Sequence, residues 1–137
     1  MQDSASLTRL VMPGQTNRHG SLFGGIALSL MDETAAIVAT RIARGPVVTA
    51  HIQSVDFHAP IWQGEAIEVV AKLVKLGNSS MRIHVETWGE CLEKGTRRHC
   101  TGADFVFVAI DQHGKSRPIP REARDDIGNP AKDEASR

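Results

Sequence analysis

Asp32 stands in the most apolar run of the chain, IALSLMDETAAIVATRIA, eight residues after Gly24 of the segment NRHGSLFGG. Two kinds of chemistry meet in that arrangement. A helix beginning at the glycines leaves its first N–H groups without internal partners, at the positive end of its dipole. Glycine has no Cβ, so another molecule approaches that backbone closely. Such a place suits an anion, or an oxygen that becomes one during a reaction. A carboxylate two turns further on, facing a cleft beside the helix, is partly desolvated, as carboxylates that move protons commonly are. Spacing alone leaves the plainer readings open. Gly20, Gly24 and Gly25 also suit tight turns. At 100° per residue Asp32 falls with Ser29, Glu33, Ala36 and Thr40 on one stripe, where it can simply be solvated, while Ile26, Leu30, Ile37 and several alanines cover the other sides.

Other chemistries find no support. GSLFGG lacks the lysine and hydroxyl residue of a phosphate loop, and no strand–helix–strand series follows it as a dinucleotide fold requires. The histidines, among them His51, His58, His84, His99 and His113, have no ligand spacing, so no metal and no cofactor are expected. Sixteen basic and sixteen acidic side chains balance, without a basic stripe, which argues against a nucleic-acid partner. Cys91 and Cys100 are expected as free thiols. The segment MQDSASLTRL does not read as a signal peptide, so a cytoplasmic location is expected. Residues 24–43 have about the length of a membrane span. Ser29, Asp32, Glu33, Thr40 and Arg41 interrupt them, and a buried helix is the better reading, with no membrane partner.

The elements that must carry Asp32 and the glycines follow from periodicity. Residues 6–12 form a first strand, closed by Pro13 and Gly14. The helix begins near residues 23–25 and stops at Arg44-Gly45-Pro46, with Arg41 and Arg44 suiting its negative end. Strands follow at 47–57, at 65–76 (alternating, with one slip), and at 79–90 after the Gly77-Asn78 turn, and a last one lies within 95–111. The class is therefore α+β, an antiparallel sheet wrapped around one helix. One helix cannot cover a sheet of that length, so residual apolar surface predicts a homo-oligomer. In domain terms, residues 1–5 are a tail, 6–114 the domain, and 115–137 a polar tail expected to be mobile.

From about residue 7 to about residue 112 the chain resembles the hotdog-fold acyl-CoA thioester hydrolases, in the branch of small bacterial broad-specificity enzymes. The resemblance is carried by Pro13, Asn17, Gly20, Phe23-Gly24-Gly25, Met31-Asp32, Val48-Thr49, Ser54, Phe57, Pro60 and Gly64, in that order. It implies a hotdog fold, subunits joined edge to edge with active sites at their seam, and a homodimer as the minimal unit, within a trimer of dimers or a tetramer. It implies catalytic roles for Asp32 and for Asn17, the latter from the partner subunit, with the Gly24 and Gly25 amides as oxyanion hole. Asp32 would act as general base or as nucleophile. The substrate is an acyl-CoA, so coenzyme A belongs to substrate and product.

Substrate contacts are expected at Gly20, Phe23, Thr49 and Ser54. Relatives have a turn followed by Thr-Ser near the coenzyme. Here LGNSSM puts Ser79 and Ser80 there, with Lys75 and Arg82 close enough to meet phosphates. Two positions depart from the pattern: Gly14 replaces an acidic or polar residue, and His19 a small one. His19 is a further candidate for substrate contact, since its charge is adjustable near neutral pH. Two rivals are weaker. A hotdog enoyl-CoA hydratase has histidine five residues after the aspartate, where this chain has Ile37. An acyl-CoA-binding sensor needs an output module, and no DNA-binding helix pair precedes residue 7.

Overall fold

The computed structural model describes residues 3–120 and 122–124. One helix, α1 (Gly24–Ala43), lies against five antiparallel strands: β1 (Ser4–Leu10), β2 (Val47–Phe57), β3 (Ala66–Leu76), β4 (Ser80–Cys91) and β5 (Thr96–Ala109). The sheet order is β1-β3-β4-β5-β2, and α1 touches all five strands. This is the α+β arrangement read from the sequence, an antiparallel sheet curled around a central helix.

The packing explains why the helix sits where it does. Its buried side chains include Met31, Ala35, Val38, Ala39 and Ile42, and the small ones let the backbone approach the sheet closely. Opposite them the strands turn in Ile67, Val69, Met81, Ile83, Val85, Phe105 and Phe107, all essentially without solvent contact. Each side chain of that size buried from water contributes about 1.5–3 kcal/mol. The alternation slip expected within 65–76 is a register shift between Leu73 and Lys75 on β3. The helix ends where the Arg44-Gly45-Pro46 signal puts it, with Arg44 in a left-handed conformation at φ 55°.

Four details differ from the sequence reading. Ser4 and Ala5, expected in a tail, pair with Lys72 and Ala71 as the first residues of β1. The expected first strand stops two residues early, at Leu10, because Val11 turns into the core and Pro13–Gln15 form a short 3-10 helix. The tail expected from residue 115 is packed along its first part. Ser116 bridges to Ile110, and Arg117 donates to Ala43 O (3.0 Å) and Ile110 O (2.9 Å). Ile119 and Ala123 are buried in the main core. Two small apolar anchors suffice to dock a segment whose average composition is polar; residues 125–137 lie outside the described ones. Finally, Ile37 is 44% exposed, on the same stripe as Glu33, Thr40 and Arg41, so the helix shows an apolar side chain to solvent.

No helix among the described residues is long and apolar enough to cross a membrane. Both cysteines are free; the register sets Cys91 opposite Thr96, away from Cys100.

The outer face of the sheet carries a charged ladder. His84 on β4 lies 2.9 Å from Asp104 Oδ1 through Nδ1 and 3.1 Å from Glu86 Oε1 through Nε2. Lys72 stands opposite His84 on β3, and His99 Nε2 lies 3.7 Å from Glu86. Partial burial opposes charge on His84, but the hydrogen bonds to Asp104 and Glu86 outweigh it and raise its pKa above the ordinary 6.5. The folded state therefore binds this proton more tightly than the unfolded chain. The resulting stabilisation is complete below the ordinary value and fades as pH rises through the raised one. His84→Gln is expected to cost more unfolding free energy at about pH 5.5 than at about pH 9 in urea titrations. Equal losses at the two pH values would show that the pair of carboxylates does not favour the imidazolium.

Candidate active site

The helix start is built by the loop before it. Asn17 holds that loop: its Oδ1 accepts from His19 N (2.9 Å) and Ser21 N (3.2 Å), and its Nδ2 donates to Ser21 Oγ (2.9 Å). Asn17 N donates to Ser21 O and Gly20 N to Asn17 O, closing a tight turn in which Gly20 has φ +87°. That left-handed conformation is what requires glycine at position 20. His19 stands exposed on the turn. Phe23 follows as the helix N-cap, 48% exposed, and no side chain caps the helix.

The first helical amides with partners are Ile26 and Ala27, both donating to Phe23 O at 3.1 Å. The N–H groups of Gly24 and Gly25 have no partner among the described residues and lie at the positive end of a 20-residue helix. Gly24 lies against Phe57: a Cβ there would come 3.3 Å from the ring, so a larger residue needs the ring to give by a few tenths of an ångström. Nothing lies within 4 Å of the corresponding point at Gly25, which faces open space.

Beside this helix start opens a cavity of about 330 Å³, lined mainly by apolar groups, with Leu22, Gly24 and Ala27 on one side and Phe57, Pro60 and Ile61 on the other. Thr101, buried on β5, adds a hydroxyl to its wall. Phe57 and Pro60 belong to the sequence motif, whereas Thr101 and Ile61 carry no sequence signal. They reach the cavity because β5 pairs with β2 through Thr101 and Phe57, and because residues 58–65 fold back over the helix start.

Asp32 is half-buried at the margin of α1 facing β2, where its Oδ1 accepts a 2.6 Å hydrogen bond from Thr49 Oγ1. Thr49 pairs with the buried Phe107, which places it on the helix side of the sheet. The second carboxylate oxygen has no partner among the described residues. Asp32 follows Gly24 and Gly25 by eight and seven residues, a separation of about 10–12 Å along a helix axis. One helix thus carries both the free amides and the carboxylate, yet does not bring them together.

β2 itself is an edge. It pairs only with β5, is 11 residues long, and exposes Val48, Ile52 and Phe57. Register shifts interrupt its pairing between Thr49 and His51 and between Gln53 and Asp56. Ser54, at the second shift, has φ 56°, so its place in the motif coincides with a backbone irregularity. Ile37, Ala36, Glu33, Thr40 and Arg41 line a shallow groove on the exposed side of α1. Elsewhere, Lys75, Ser80 and Arg82 share a small groove of about 140 Å³ with Gly77 and Val106, bringing three of the expected coenzyme contacts together. Ser79 lies next to it in the β3–β4 turn, its carbonyl accepting from Ala109 N. Arg82 and Val106 belong to the outer face of the sheet, away from Asp32.

With this geometry in place, likeness to known proteins is informative. The family model described as "Thioesterase superfamily" matches residues 19–96. An uncharacterized acyl-CoA thioester hydrolase of Haemophilus influenzae is 42% identical over 124 residues, spanning 88% of this chain and 80% of that one. The acyl-CoA thioester hydrolase YciA of Salmonella typhimurium is 38% identical over 122 residues, 87% of this chain and 92% of that one. A crystal structure of a hexameric broad-specificity acyl-coenzyme A thioesterase superposes with TM-score 0.81 at 41% identity, over 89% of this chain and 84% of that one. A hexameric hotdog-fold thioesterase of Campylobacter jejuni gives TM-score 0.83 at 32% identity, over 90% and 95%. The α+β architecture is the hotdog fold.

The hydrogen bonds of Asn17 generate an expectation of their own. Asn17→Ala removes three side-chain hydrogen bonds from a partly buried turn and is expected to lower stability by about 1–3 kcal/mol. Chemical denaturation of the variant measures this, and an unchanged midpoint would mean that the turn is held without Asn17.

Proposed function

The chain belongs to the thioesterase superfamily, and we propose that it hydrolyses acyl-CoA thioesters to free acid and coenzyme A at sites completed by a second copy of the chain. The observation that carries this reading is the division of the machinery along α1: free amides at Gly24 and Gly25, and a carboxylate about 10–12 Å further on. Pairing two β2 edges antiparallel about the middle of the strand resolves it. The Thr49 end of one strand then meets the Phe57 end of the other. Thr49 bonds Asp32, and Phe57 packs on Gly24. Asp32 of one protomer therefore approaches the helix start of its partner. The same pairing covers Ile37, Val48, Ile52 and Phe57 and satisfies the open strand edge.

In this reading the acyl chain enters the cavity between Leu22, Ala27, Phe57 and Ile61, and the thioester oxygen points at the Gly24 and Gly25 amides. Asp32 acts as general base through the carboxylate oxygen that Thr49 leaves free. It takes a proton from water as the water oxygen bonds to the carbonyl carbon. The amides hold the oxyanion that forms, and when the carbonyl is restored the carbon–sulfur bond breaks. The thiolate leaves and is protonated to free coenzyme A. Asn17 positions the helix start of its own protomer by holding the turn before it, and so belongs with Gly24 and Gly25 to the half that meets the other protomer's Asp32. Lys75, Arg82, Ser79 and Ser80 take the phosphate end of the substrate. The homodimer is the smallest active unit, and the hexameric relatives support its further assembly as a trimer of dimers. The free Cys91 and Cys100 accord with a reducing, cytoplasmic setting.

Release of free thiol from a panel of acyl-CoAs tests the activity, and binding without release would favour a sensor. Asp32→Asn is expected to lower kcat by about a hundredfold to ten-thousandfold with fold and assembly intact. Gly25→Pro removes one helix-start donor and is expected to cost about a hundredfold to a thousandfold. Mixing the two variants tests the shared site. Hybrid dimers place both defects in one site and leave the other whole, so about a quarter of wild-type turnover returns. No recovery on subunit exchange would mean that each site lies within one chain.

A further inference from the structure

Four residues of the cavity wall, 58–61, belong to a segment without regular structure between β2 and β3. Its first residues are tied to β5 through the backbone, His58 N (2.7 Å) and Ala59 N (3.4 Å) donating to Cys100 O, and beyond them it is held from behind by one side-chain pair. Arg98 on β5 donates to Pro60 O through Nε (3.1 Å) and Nη2 (2.6 Å). It also donates to both carboxylate oxygens of Glu65, through Nη1 to Oε2 (3.0 Å) and through Nη2 to Oε1. Glu65 Oε1 accepts Trp62 N at 2.7 Å in addition. The pair thus spans residues 60–65 from both ends. The Glu65 side chain is 13% exposed and that of Arg98 33%. The Arg98 hydrogen bond, opposed by partial burial and aided by Trp62 N, lowers the pKa of Glu65, keeping it anionic.

Two further features tie the pair to the site. The buried Gly89 lies under it: a Cβ there would come within 3.2 Å of both Arg98 Nη2 and Ile61 Cγ1. Any larger residue at 89 would need the guanidinium and the Ile61 wall to give by a few tenths of an ångström. The clamped segment also carries the loop that feeds the helix. Ile61 O accepts Leu22 N (2.8 Å), Gln63 N donates to Gly20 O (2.9 Å), and Trp62 bridges to Ser21.

We propose that Arg98 and Glu65 are positioning residues that set the depth of the acyl pocket, and with it the chain-length preference of the enzyme. The proposal rests on reading the cavity at the helix start as the acyl site. The bidentate geometry matters, because only a planar fork reaches Pro60 O and both Glu65 oxygens at once. Without it the wall keeps its backbone ties at Ile61 O and at His58 and Ala59 N but loses its hold at Pro60 O, so the wall shifts there and the room for longer acyl chains changes while the thioester end stays on Asp32 and the helix amides.

The test compares kcat/KM across saturated acyl-CoAs from two to sixteen carbons for the wild type, Arg98→Lys, Arg98→Met and Glu65→Gln. The ratio of long-chain to short-chain kcat/KM is expected to change about tenfold in Arg98→Met, chiefly through KM, with a smaller change in the same direction in Arg98→Lys. A merely structural role scales all chain lengths alike, so an unchanged ratio in a cooperatively melting Arg98→Met overturns the proposal. Should Arg98→Met not fold, the near-isosteric Glu65→Gln decides on the same criterion. An active wild type, silenced by Asp32→Asn, with ratios unmoved by these variants, rejects the clamp and leaves the proposed function standing. A wild type that releases no thiol from any acyl-CoA rejects both.

Discussion

The close approach of α1 to the inner face of the sheet governs everything else in this molecule. Met31, Ala35, Val38, Ala39 and Ile42 meet Met81, Ile83, Phe105 and Phe107 with no solvent between them. Close packing of that kind leaves the helix little freedom to rotate. Met31 is entirely buried, and its neighbour Asp32, 100° further round, is therefore held at the margin of the helix facing β2. A looser core would let the carboxylate swing into bulk water. The hydrogen bond from Thr49 completes what the packing begins, since it fixes the carboxylate against an edge strand and leaves one oxygen open.

The helix also carries the free amides of Gly24 and Gly25, and its rigidity keeps them two turns from Asp32. A rigid rod cannot bend its own ends onto one small group. The free amides and the carboxylate therefore lie near opposite ends of β2, a strand paired on one edge only. Long exposed edges carrying Val48, Ile52 and Phe57 are a liability in an isolated domain. The proposed antiparallel pairing with a second copy would answer both the open edge and the divided chemistry. Thr49 and Phe57, paired with the buried Phe107 and Thr101, both face the helix; the two register shifts between them cancel in their effect on side-chain alternation, and Ser54 at the second is left-handed.

The segments outside regular structure are held by side-chain and backbone hydrogen bonds. Asn17 organises the turn ahead of the helix, Arg98 and Glu65 clamp residues 60–65, and Arg117 reaches across to the last carbonyl of α1, that of Ala43. Each binds main-chain groups that no strand or helix satisfies; Asn17 closes its own turn, while Arg98 and Arg117 tie loops to the body of the fold. On the opposite face, the ladder of His84 with Asp104 and Glu86 links β4 to β5 and reaches the edge of the candidate site through His99, which lies 3.7 Å from Glu86 and 5.3 Å, ring to ring, from the cavity residue His58.

The sequence by itself determined the element order, the stop of the helix at Arg44, the α+β class and the ordered motif from Pro13 to Gly64. Those properties are local: 3.6-residue and two-residue periodicities, the dipole preferences of Arg41 and Arg44, and turn residues at Gly77-Asn78. It also singled out Asp32 and the glycines, because residue types and order carried the resemblance. Tertiary structure alone decided which groups meet. That Thr49 holds Asp32, that Asn17 serves its own turn, and that Thr101 and Ile61 line the cavity all depend on strand register and on how 58–65 folds back. The same holds for Ile119 and Ala123, which dock a segment that composition marks as a loose tail. Periodicity reports which face of an element is apolar. It is silent about which distant element that face meets, because contacts between residues far apart in the chain are fixed by packing and not by neighbours in sequence.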